Sequence, residues 1–442
     1  MGLYNLLKKI GLGIWPAGLL ALVIMLQYGM MTGGTVSTMR AVCMFLLSVG
    51  AKIAGRIYDM PTGMAAAAIL ILMENPAYLL DGGFLLSFGS VIGIGCVWPL
   101  IQEGMDVLKR KKRNKVNEKG KIRDKLLVSF LASGVVQLTT LPIVLWFYGE
   151  VSVLGIFLNL IVIPILTYAA GSGLLALGIY SIAFAGGKIG GMGIGSSIAG
   201  VLSAFWGAAS GISGMSEIPE VFRIAASACT GPGHYVFQLY EWLCIQVERV
   251  PFHSIVAGRP EMWKIGVFYV ALGIRYVWSV GEAGDNLERK VFFLFPKDWN
   301  AQGKNSVFIA VAVVFLVVQP VHGFQIWFLD VGQGDGVFLR TRDEAILSDC
   351  GSSQDKKIGK NVLEPFLKSQ GIRTLDWILV SHADADHTNG IEWLLKEEPD
   401  IRVRNLALPA AGKGQEAYEK LENLARKRGA EVYYLHRGET VR

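Results

Sequence analysis

The stretch "SHADADHTNG", residues 381–390, contains two histidines and two aspartates within six positions. Immediately before it, "LDWILV" at 375–380 is an apolar, β-rich run that predicts a buried strand. Immediately after it, "IEWLLKEE" at 391–398 predicts a helix. The cluster is therefore expected on a strand-to-helix turn, where side chains can converge in front of a sheet edge. Four side chains of this turn are the candidate metal ligands: His382, Asp384, Asp386 and His387.

Imidazole and carboxylate ligands together suit zinc, manganese or iron and do not suit calcium. A turn that supplies four such ligands is typical of two-metal hydrolases, in which the ions polarise a phosphoryl group and generate hydroxide at neutral pH. We therefore predict one or two divalent ions, zinc or manganese, with Asp386 as the candidate catalytic residue that positions metal and water. The alternative is a polar turn with a helix-capping aspartate, which the pattern H-x-D-x-D-H after a buried strand disfavours.

The residues around this turn predict a layered α/β domain that extends over residues 324–442, because short strands and helices alternate along it. The predicted strands are 324–331, 337–341, 344–351, 375–380, 403–409 and 431–436, and the predicted helices are 361–370, 391–398 and 415–428.

The rest of the chain has a different composition. Hydrophobic residues make up 52% of the 442 residues and charged residues 18%, and the mean hydropathy is +0.42. Long segments before residue 320 carry almost no charge, which excludes an ordinary soluble enzyme. We predict a polytopic α-helical membrane domain over residues 1–320, with about eight to ten spans of roughly 20 residues each, followed by a soluble domain over residues 324–442.

The candidate spans are apolar runs long enough to cross a bilayer. They are 13–31, 38–57, 64–80, 84–101, 126–148, 151–170, 189–212, 262–280 and 305–320, with 171–186 as a separate short span or a continuation of its neighbour.

One basic loop predicts the orientation of these spans. Residues 109–125 contain ten lysines or arginines against two acidic residues, and such loops stay on the cytoplasmic side of a membrane. Counting the spans back from this loop places the N-terminus in the cytoplasm as well. Much of the net charge of +6 lies in this loop, so the charge is explained by topology and does not indicate nucleic-acid binding.

Several predicted spans contain polar residues and prolines, which are costly in hydrocarbon and normally face protein or a water-filled cavity. The alternative reading is helix packing and ordinary kinks. Together the polar positions favour a transporter or channel interior over a simple anchor. The candidates for the channel interior are Arg40, Glu74, Asn75, Gln137 and Asn159.

Three motifs of the soluble domain, "FLDVGQGDG" (328–336), "SDCG" (348–351) and "SHADADHTNG", resemble the first half of a metallo-β-lactamase-fold hydrolase domain. They are most similar to the version that is fused to a membrane competence protein. The membrane part agrees with this, since "NPAYLLDGGFLLSFGSVIGIG" (75–95) and "LPIVLWFYGEVSVLGIFLNLIVIPIL" (141–166) resemble the core of the bacterial DNA-internalisation competence channels, as does "YGMMTGGTVSTMRAVCMFLL" (28–47). The resemblance covers residues 13–182 and 324–442.

The resemblance implies a multi-pass protein of the bacterial cytoplasmic membrane that carries single-stranded transforming DNA into the cell. It implies an extracellular, partial αββα domain that degrades the non-transported strand. A DNA receptor, a cytoplasmic ATP-driven translocase and further copies of the chain are the implied partners, besides the lipid bilayer. By motif matching, His382 and Asp384 hold a first metal and Asp386 and His387 a second. The residues implied around the ligands are Asp330 and Asp335, at the floor of the site, and Asp349, as an outer or turn residue.

Two features depart from the family pattern. Asp384 stands where the fold usually has its second histidine, and after His387 the chain contains only His436 as a further histidine. We therefore expect a fragment whose metal site is incomplete and which lacks the family's extracellular DNA-binding domain. Three hypotheses remain open: a DNA-uptake channel, a membrane-anchored metal-dependent phosphodiesterase, and a non-catalytic membrane scaffold.

Overall fold

The computed structural model describes residues 2–98, 118–172, 220–281 and 310–440, apart from positions 10, 32, 163–164, 167, 170, 251–252 and 321–322. These residues fall into two compact units. The first unit joins Met1–Thr140 to Val153–His253, and the second joins Leu141–Ser152 to Ser254–Arg442. The first unit is helical, and the second contains a mixed β-sheet.

Short polar residues set several helix ends in the first unit. The carboxylate of Asp59 accepts the backbone N–H of Thr62 at 3.0 Å, and that of Asp81 accepts the backbone N–H of Phe84 at 2.8 Å. Such caps satisfy donors that the first helical turn leaves unpaired. The helices are α1 (Gly2–Lys9), α2 (Ile14–Met31), α3 (Val36–Ile53), α4 (Met60–Glu74), α5 (Gly82–Ile92), α6 (Glu118–Tyr148), whose last residues belong to the second unit, and α7 (Glu220–Glu248).

Most predicted spans in the described part of the chain are helical, but one is interrupted. Over the predicted span 64–80, α4 ends at Glu74, Asn75 is extended with φ −149°, and a 3-10 turn follows over Pro76–Leu80. The predicted continuous span is therefore wrong at Asn75, and the break has a local cause, because Pro76 disfavours the α conformation of the residue before it. Asn75 stabilises the break, since its side chain accepts the backbone N–H of Ala77 at 3.0 Å.

The other predicted spans agree with helices to differing extents. Five predicted spans coincide with helices. The span 13–31 corresponds to α2, 38–57 to α3, 126–148 to α6 and 262–280 to α8 (Met262–Gly281). The span 84–101 corresponds to α5 and the π turn Gly93–Val97 that follows it. The segment 151–170 starts in a short strand and is helical at 155–162, and 310–317 is helical within the span predicted at 305–320. The span at 189–212, almost all of 171–186 and residues 109–117 of the basic loop lie outside the described residues.

Two helices in the described part are long and apolar enough to cross a bilayer, Val36–Ile53 and Leu127–Tyr148. Four shorter helices are also apolar, namely Ile14–Leu26, Met60–Glu74, Gly82–Gly95 and Met262–Ile274. The multi-pass arrangement therefore remains a prediction.

The second unit contains a six-stranded sheet in which the strands lie side by side in chain order, from residues 325–328 at one edge to residues 431–435 at the other. The first three of these strands are antiparallel and the last four are parallel, with helices in the connections. The strands are β3 (Gln325–Phe328), β4 (Gly336–Arg340), β5 (Ala345–Cys350), β6 (Thr374–Leu379), β7 (Arg402–Pro409) and β8 (Glu431–Leu435), and the helices are α9 (Glu364–Ser369), α10 (Ala385–Glu397) and α11 (Glu416–Lys427). Every strand and helix predicted for residues 324–442 is present.

One face of this sheet forms the core of the unit. The cross-strand row Phe338, Leu347, Ile378 and Leu406 is fully buried under the helices. Burial of each such side chain stabilises the fold by about 1.5–3 kcal/mol. On the opposite face, Phe328 is 82% exposed and Tyr433 is 40% exposed.

A second, two-stranded sheet lies just after α6. It pairs β1 (Glu150–Ser152) with β2 (Ser254–Val256) in antiparallel register.

A glycine sets the distance between the sheet and α10. A Cβ added at Gly390 would lie 2.7 Å from the backbone oxygen of Cys350 and 3.0 Å from its Sγ. Gly390→Ala should therefore lower the free energy of unfolding by about 1–3 kcal/mol through overpacking. Denaturant unfolding of the full chain in detergent micelles measures the change.

Gly266→Ala is the matched control, because Gly266 lies in α8 with open space around its Cα. There the exchange should stabilise the helix by up to ~1 kcal/mol. Equal stabilities of the two variants would contradict the close packing of α10 on β5.

Candidate functional site

The predicted ligands lie where β6 leads into α10. Asp384 is the N-cap residue of α10, with φ −73° and ψ 153°, so Asp386 and His387 lie in the first turn of that helix and His382 lies just before it. A carboxylate in the first helical turn is favoured by the positive end of the helix dipole.

Three of the four predicted ligands come together. One ligand atom each from His382, Asp386 and His387 lies within 4.8 Å of the other two. The ring centroids of the two histidines are 3.7 Å apart. His387 is buried, whereas the side chain of His382 is 46% exposed, so the group opens to solvent on one side.

Asp349 orients His387. The Nδ1–H of His387 donates to Oδ2 of Asp349 at 3.2 Å. The same carboxylate accepts the backbone N–H of Ser381 at 2.8 Å and its hydroxyl at 2.6 Å. With Nδ1 held in this way, Nε2 of His387 presents its lone pair, and it lies 3.6 Å from Oδ2 of Asp335 and 3.9 Å from Oδ2 of Asp386. A carboxylate behind a histidine is the usual way to fix a metal-binding imidazole.

The backbone of Asp349 is strained in a way that aims its side chain. Among the residues that the structure describes, it is the only non-glycine residue with positive φ, at +50°. Aspartate tolerates the left-handed region better than most residues, but such a conformation still costs about 1–3 kcal/mol and needs support from its surroundings. The hydrogen bonds to Ser381 and His387 supply that support.

Two glycines let the three sequence motifs meet. A Cβ at Gly334 would lie 2.2 Å from the backbone oxygen of Gly351, and a Cβ at Gly351 would lie 2.5 Å from the backbone carbon of Asp386. The backbone N–H of Asp335 donates to the Asp386 carbonyl at 3.1 Å, and that of Gly351 donates to the Asp335 carbonyl at 3.0 Å. The loops "GQGDG" and "DCG" therefore lie directly against the first turn of α10.

The remaining predicted residues have differing places. Asp384 is 80% exposed, and its carboxylate lies 3.7 Å from Nε2 of His382 but outside the group of three. Asp335 lies next to the group, with its side chain 69% exposed, while Asp330 is exposed after β3. His436 follows β8, and its backbone N–H donates to the side chain of Glu439.

Sequence reasoning missed Ser381. This residue connects Asp349 to both histidines, since its hydroxyl also lies 3.0 Å from Nδ1 of His382 and 3.4 Å from Nδ1 of His387. The signal was its position as the first polar residue after the buried strand.

The candidate channel residues occupy separate settings in the helical unit. Nη1 of Arg40 donates to the Ser87 carbonyl at 3.0 Å, and its guanidinium lies 5.8 Å from the ring centroid of Phe88. Glu74 and Asn75 are exposed at the end of α4, Gln137 is half-buried in α6, and Asn159 is exposed in the helical stretch 155–162.

The group of three fits a divalent transition metal or zinc. It offers two imidazole nitrogens and one carboxylate oxygen, and a buried carboxylate fixes one of the imidazoles. Three protein ligands, with room for water or substrate, are typical of catalytic zinc sites, whereas structural sites use four.

Asp386→Ala and Asp384→Ala distinguish the observed group from the four-ligand prediction. We expect Asp386→Ala to weaken Mn²⁺ or Zn²⁺ binding by more than about 100-fold, beyond the ~10–100-fold typical for an outer partner. Asp384→Ala should weaken it much less, because that carboxylate points to solvent. Calorimetric titration of the full chain in detergent measures both. Equal losses would instead make Asp384 a ligand.

Asp349→Asn tests the orienting role. Asparagine tolerates the same positive φ, so the backbone should persist while the anionic acceptor for His387 is lost. We expect metal affinity to fall by about 10–100-fold, and the imidazole nitrogen NMR signals of His387 to lose the preference for a proton on Nδ1. Ser381→Ala is the comparison variant, because it removes one hydrogen bond to the Asp349 carboxylate but keeps the Asp349–His387 contact, so metal affinity should fall less than in Asp349→Asn. Wild-type affinity and tautomer in Asp349→Asn would contradict the role.

Comparisons with known proteins identify both parts of the chain. The family model described as "Competence protein" matches residues 2–281, and the one described as "Metallo-beta-lactamase superfamily" matches residues 329–438. No solved structure matches the chain.

Curated relatives agree with these matches. The chain is 22% identical over 465 aligned residues to ComE operon protein 3 of Bacillus subtilis (strain 168), with 100% of this chain and 49% of that protein covered. It is 33% identical over 81 residues to Recombination protein 2 of Haemophilus influenzae, which covers 18% of this chain and 10% of the relative. It is 36% identical over 63 residues to Competence protein ComA of Neisseria gonorrhoeae, which covers 14% and 9%. The chain thus spans about half the length of the first of these relatives.

The competence match covers well over half of the chain and includes helices α1 to α8. The second match contains the three grouped ligands and the carboxylate of Asp349 that orients His387. The chain therefore belongs to the competence protein family and carries a metallo-β-lactamase superfamily domain at its C-terminal end.

Proposed function

We propose that the chain is part of a membrane protein for DNA uptake in natural competence, with an attached metal-dependent hydrolase domain. The observation that carries the proposal is the order of its two parts. A helical region of the competence family precedes a domain whose β5, β6 and α10 bring together His382, Asp386 and His387. Of the three relatives, one is named a competence protein, one is named for the ComE operon and one is named for recombination.

The proposal includes a multi-pass arrangement in the bacterial cytoplasmic membrane over residues 1–320. The apolar helices Val36–Ile53 and Leu127–Tyr148 support it. In this arrangement the N-terminus and the basic loop 109–125 face the cytoplasm, and the domain over residues 324–442 faces outward. Single-stranded DNA is the proposed cargo of a channel whose interior includes Arg40, Glu74, Asn75, Gln137 and Asn159. The proposed partners are a surface DNA receptor, an ATP-driven translocase and further copies of the chain.

The second unit supports a hydrolytic role toward a phosphodiester. Two imidazoles and the Asp386 carboxylate would hold one ion, zinc or manganese, which when bound supplies Lewis-acid chemistry toward a phosphoryl oxygen and acidifies water. Asp349 and Ser381 keep the Nε2 lone pair of His387 directed into the group. Asp335, 69% exposed beside His387, adds negative charge at the entrance. The proposed substrate is the DNA strand that does not enter the cell.

The same group favours a second candidate function, a membrane-anchored phosphodiesterase without transport. In that case the helices only hold the hydrolase at the membrane. A non-catalytic scaffold is the third candidate, and it requires that the grouped side chains bind no ion.

Uptake of radiolabelled duplex DNA by the source organism separates these functions. Deletion of the gene should leave DNA bound at the cell surface and abolish its entry, because the proposed channel is gone. Restoration of the natural gene with Asp386→Ala should stop the release of nucleotides from the non-transported strand, and restoration with Asp384→Ala serves as the matched control.

Three outcomes decide between the candidates. Normal DNA entry in the deletion strain contradicts the uptake proposal. Normal entry with loss of nucleotide release in that strain leaves the anchored phosphodiesterase. Unchanged nucleotide release with Asp386→Ala rejects the hydrolytic role and leaves transport alone.

A further inference from the structure

The β1–β2 pair is a joint between two helices and the C-terminal sheet domain. β1 starts two residues after α6 ends at Tyr148, and β2 precedes α8. An isolated two-stranded pair of three residues per strand is at best marginally stable in water. Its order must therefore come from other contacts within the second unit.

Backbone contacts supply part of that order. The N–H of Arg259 donates to the Ser369 carbonyl at 2.6 Å. In the other direction, Nε of Arg373 donates to the Val256 carbonyl at 3.1 Å. Both bonds join the segment around β2 to the turn that follows α9.

Glycines make the fit close. A Cβ at Gly149 would lie 2.4 Å from the Lys368 carbonyl oxygen, and a Cβ at Gly258 would lie 3.0 Å from the backbone nitrogen of Gly371. Gly149 and Gly258 also have positive φ, +69° and +83°. Residues other than glycine are therefore disfavoured at positions 149 and 258, because a Cβ would be too close to the neighbouring backbone and because φ is positive.

Lys368 adds a buried charge at the centre of the contact. Its Nζ lies 2.9 Å from Oε1 of Glu150 in β1, 2.8 Å from Oε1 of Glu364 in α9 and 3.8 Å from Oε1 of Glu398. Glu150 is held in turn by the hydroxyl of Ser254 in β2, which donates to its Oε2 at 3.1 Å. One ammonium group thus connects the strand pair to two places in the sheet domain.

The charges around Lys368 keep it ionised. Burial lowers the pKa of Lys368, but the hydrogen bonds to Glu364 and Glu150 outweigh this and raise the pKa overall. Burial, together with the carboxylates of Glu364 and Asp400, raises the pKa of Glu398, and the Lys368 ammonium opposes this by favouring the carboxylate. A buried ion pair that loses one partner leaves an uncompensated charge, which is strongly unfavourable.

The contact also reaches the elements that carry the metal ligands, at their far ends. Glu398 is the C-cap residue of α10, whose first turn holds Asp386 and His387. Arg373 directly precedes β6, which leads to His382.

We propose that residues 149–152 and 254–259 form a strap that docks the sheet domain to the end of α6, and that Lys368 fastens this strap through Glu150. The strap is independent of DNA uptake, because it is defined by contacts within the second unit. The strap contacts the C-terminal end of α10 through Lys368 and the start of β6 through Arg373. It therefore keeps the segment that carries the metal ligands attached to the end of α6.

Hydrogen exchange of the full chain in detergent micelles at constant pH tests the strap. In Lys368→Met, amides of residues 254–259 and of the C-terminal turn of α10 should exchange faster by about tenfold or more, because a buried carboxylate loses its partner and the strap opens locally. Amides of β5 and β7 should keep their protection. Glu150→Gln should accelerate exchange of the strap in the same direction.

Two variants are controls. Lys420→Met removes an ion pair with Glu392 on the exposed surface, where Lys420 is 60% exposed, and Glu364→Gln removes a partner that lies on the same helix as Lys368. Both should leave strap exchange as in the wild type. Wild-type strap exchange in a folded Lys368→Met chain overturns the proposal. If that variant loses the protection of β5 as well, Glu150→Gln decides alone, and unchanged strap exchange there overturns it.

Discussion

The carboxylate of Asp349 is the interaction on which the candidate metal centre depends. It accepts two hydrogen bonds from Ser381 and one from His387, so it joins the end of β5 to the end of β6 and to the first turn of α10. Without an acceptor at this position, the imidazole of His387 could rotate or change its tautomer, and its Nε2 would no longer face Asp386. The positive φ of Asp349 is the conformational cost of this placement.

The polar contacts of the site rely on the register of an apolar sheet. Parallel pairing of β5 with β6 sets Ser348 opposite Leu379, which brings Asp349 next to the residues that lead to Ser381. The row of Phe338, Leu347 and Ile378 fixes that register, because a slip by one residue would move these side chains out of the core. Burial of apolar side chains provides most of the stability of the sheet but does not orient polar groups. The hydrogen bonds of Asp349 orient the side chain of His387.

Much of the second unit was predictable from sequence because its signals are local. Short apolar runs bounded by glycines and charges indicated each strand of the six-stranded sheet, and a dense ligand motif indicated His382, Asp386 and His387. The strand β1 overlapped the start of the predicted span 151–170, and β2 was not predicted. The exposure of Asp384 was not predictable, since a residue at an N-cap can turn its side chain either way. Lys368 was missed because its partners Glu150 and Glu398 are distant in sequence, although Glu364 at i−4 was a visible hint. In the helical unit, apolar runs predicted helices well, but hydropathy did not reveal the break at Asn75.

The ligand helix α10 is restrained at both of its ends by different kinds of contact. At its N-terminus, Gly334 and Gly351 allow backbone to touch backbone, and the backbone N–H of Asp335 donates to the Asp386 carbonyl. At its C-terminus, Glu398 lies in the field of the Lys368 ammonium. A metal site needs its ligands held to a fraction of an ångström, which side chains achieve only when the supporting elements are themselves fixed. The backbone contact at the N-terminus of α10 sets where the ligands point. The contact between Glu398 and Lys368 connects the C-terminus of α10 to β1 and hence to the end of α6. The geometry of the ligands and the attachment of the domain therefore both depend on α10.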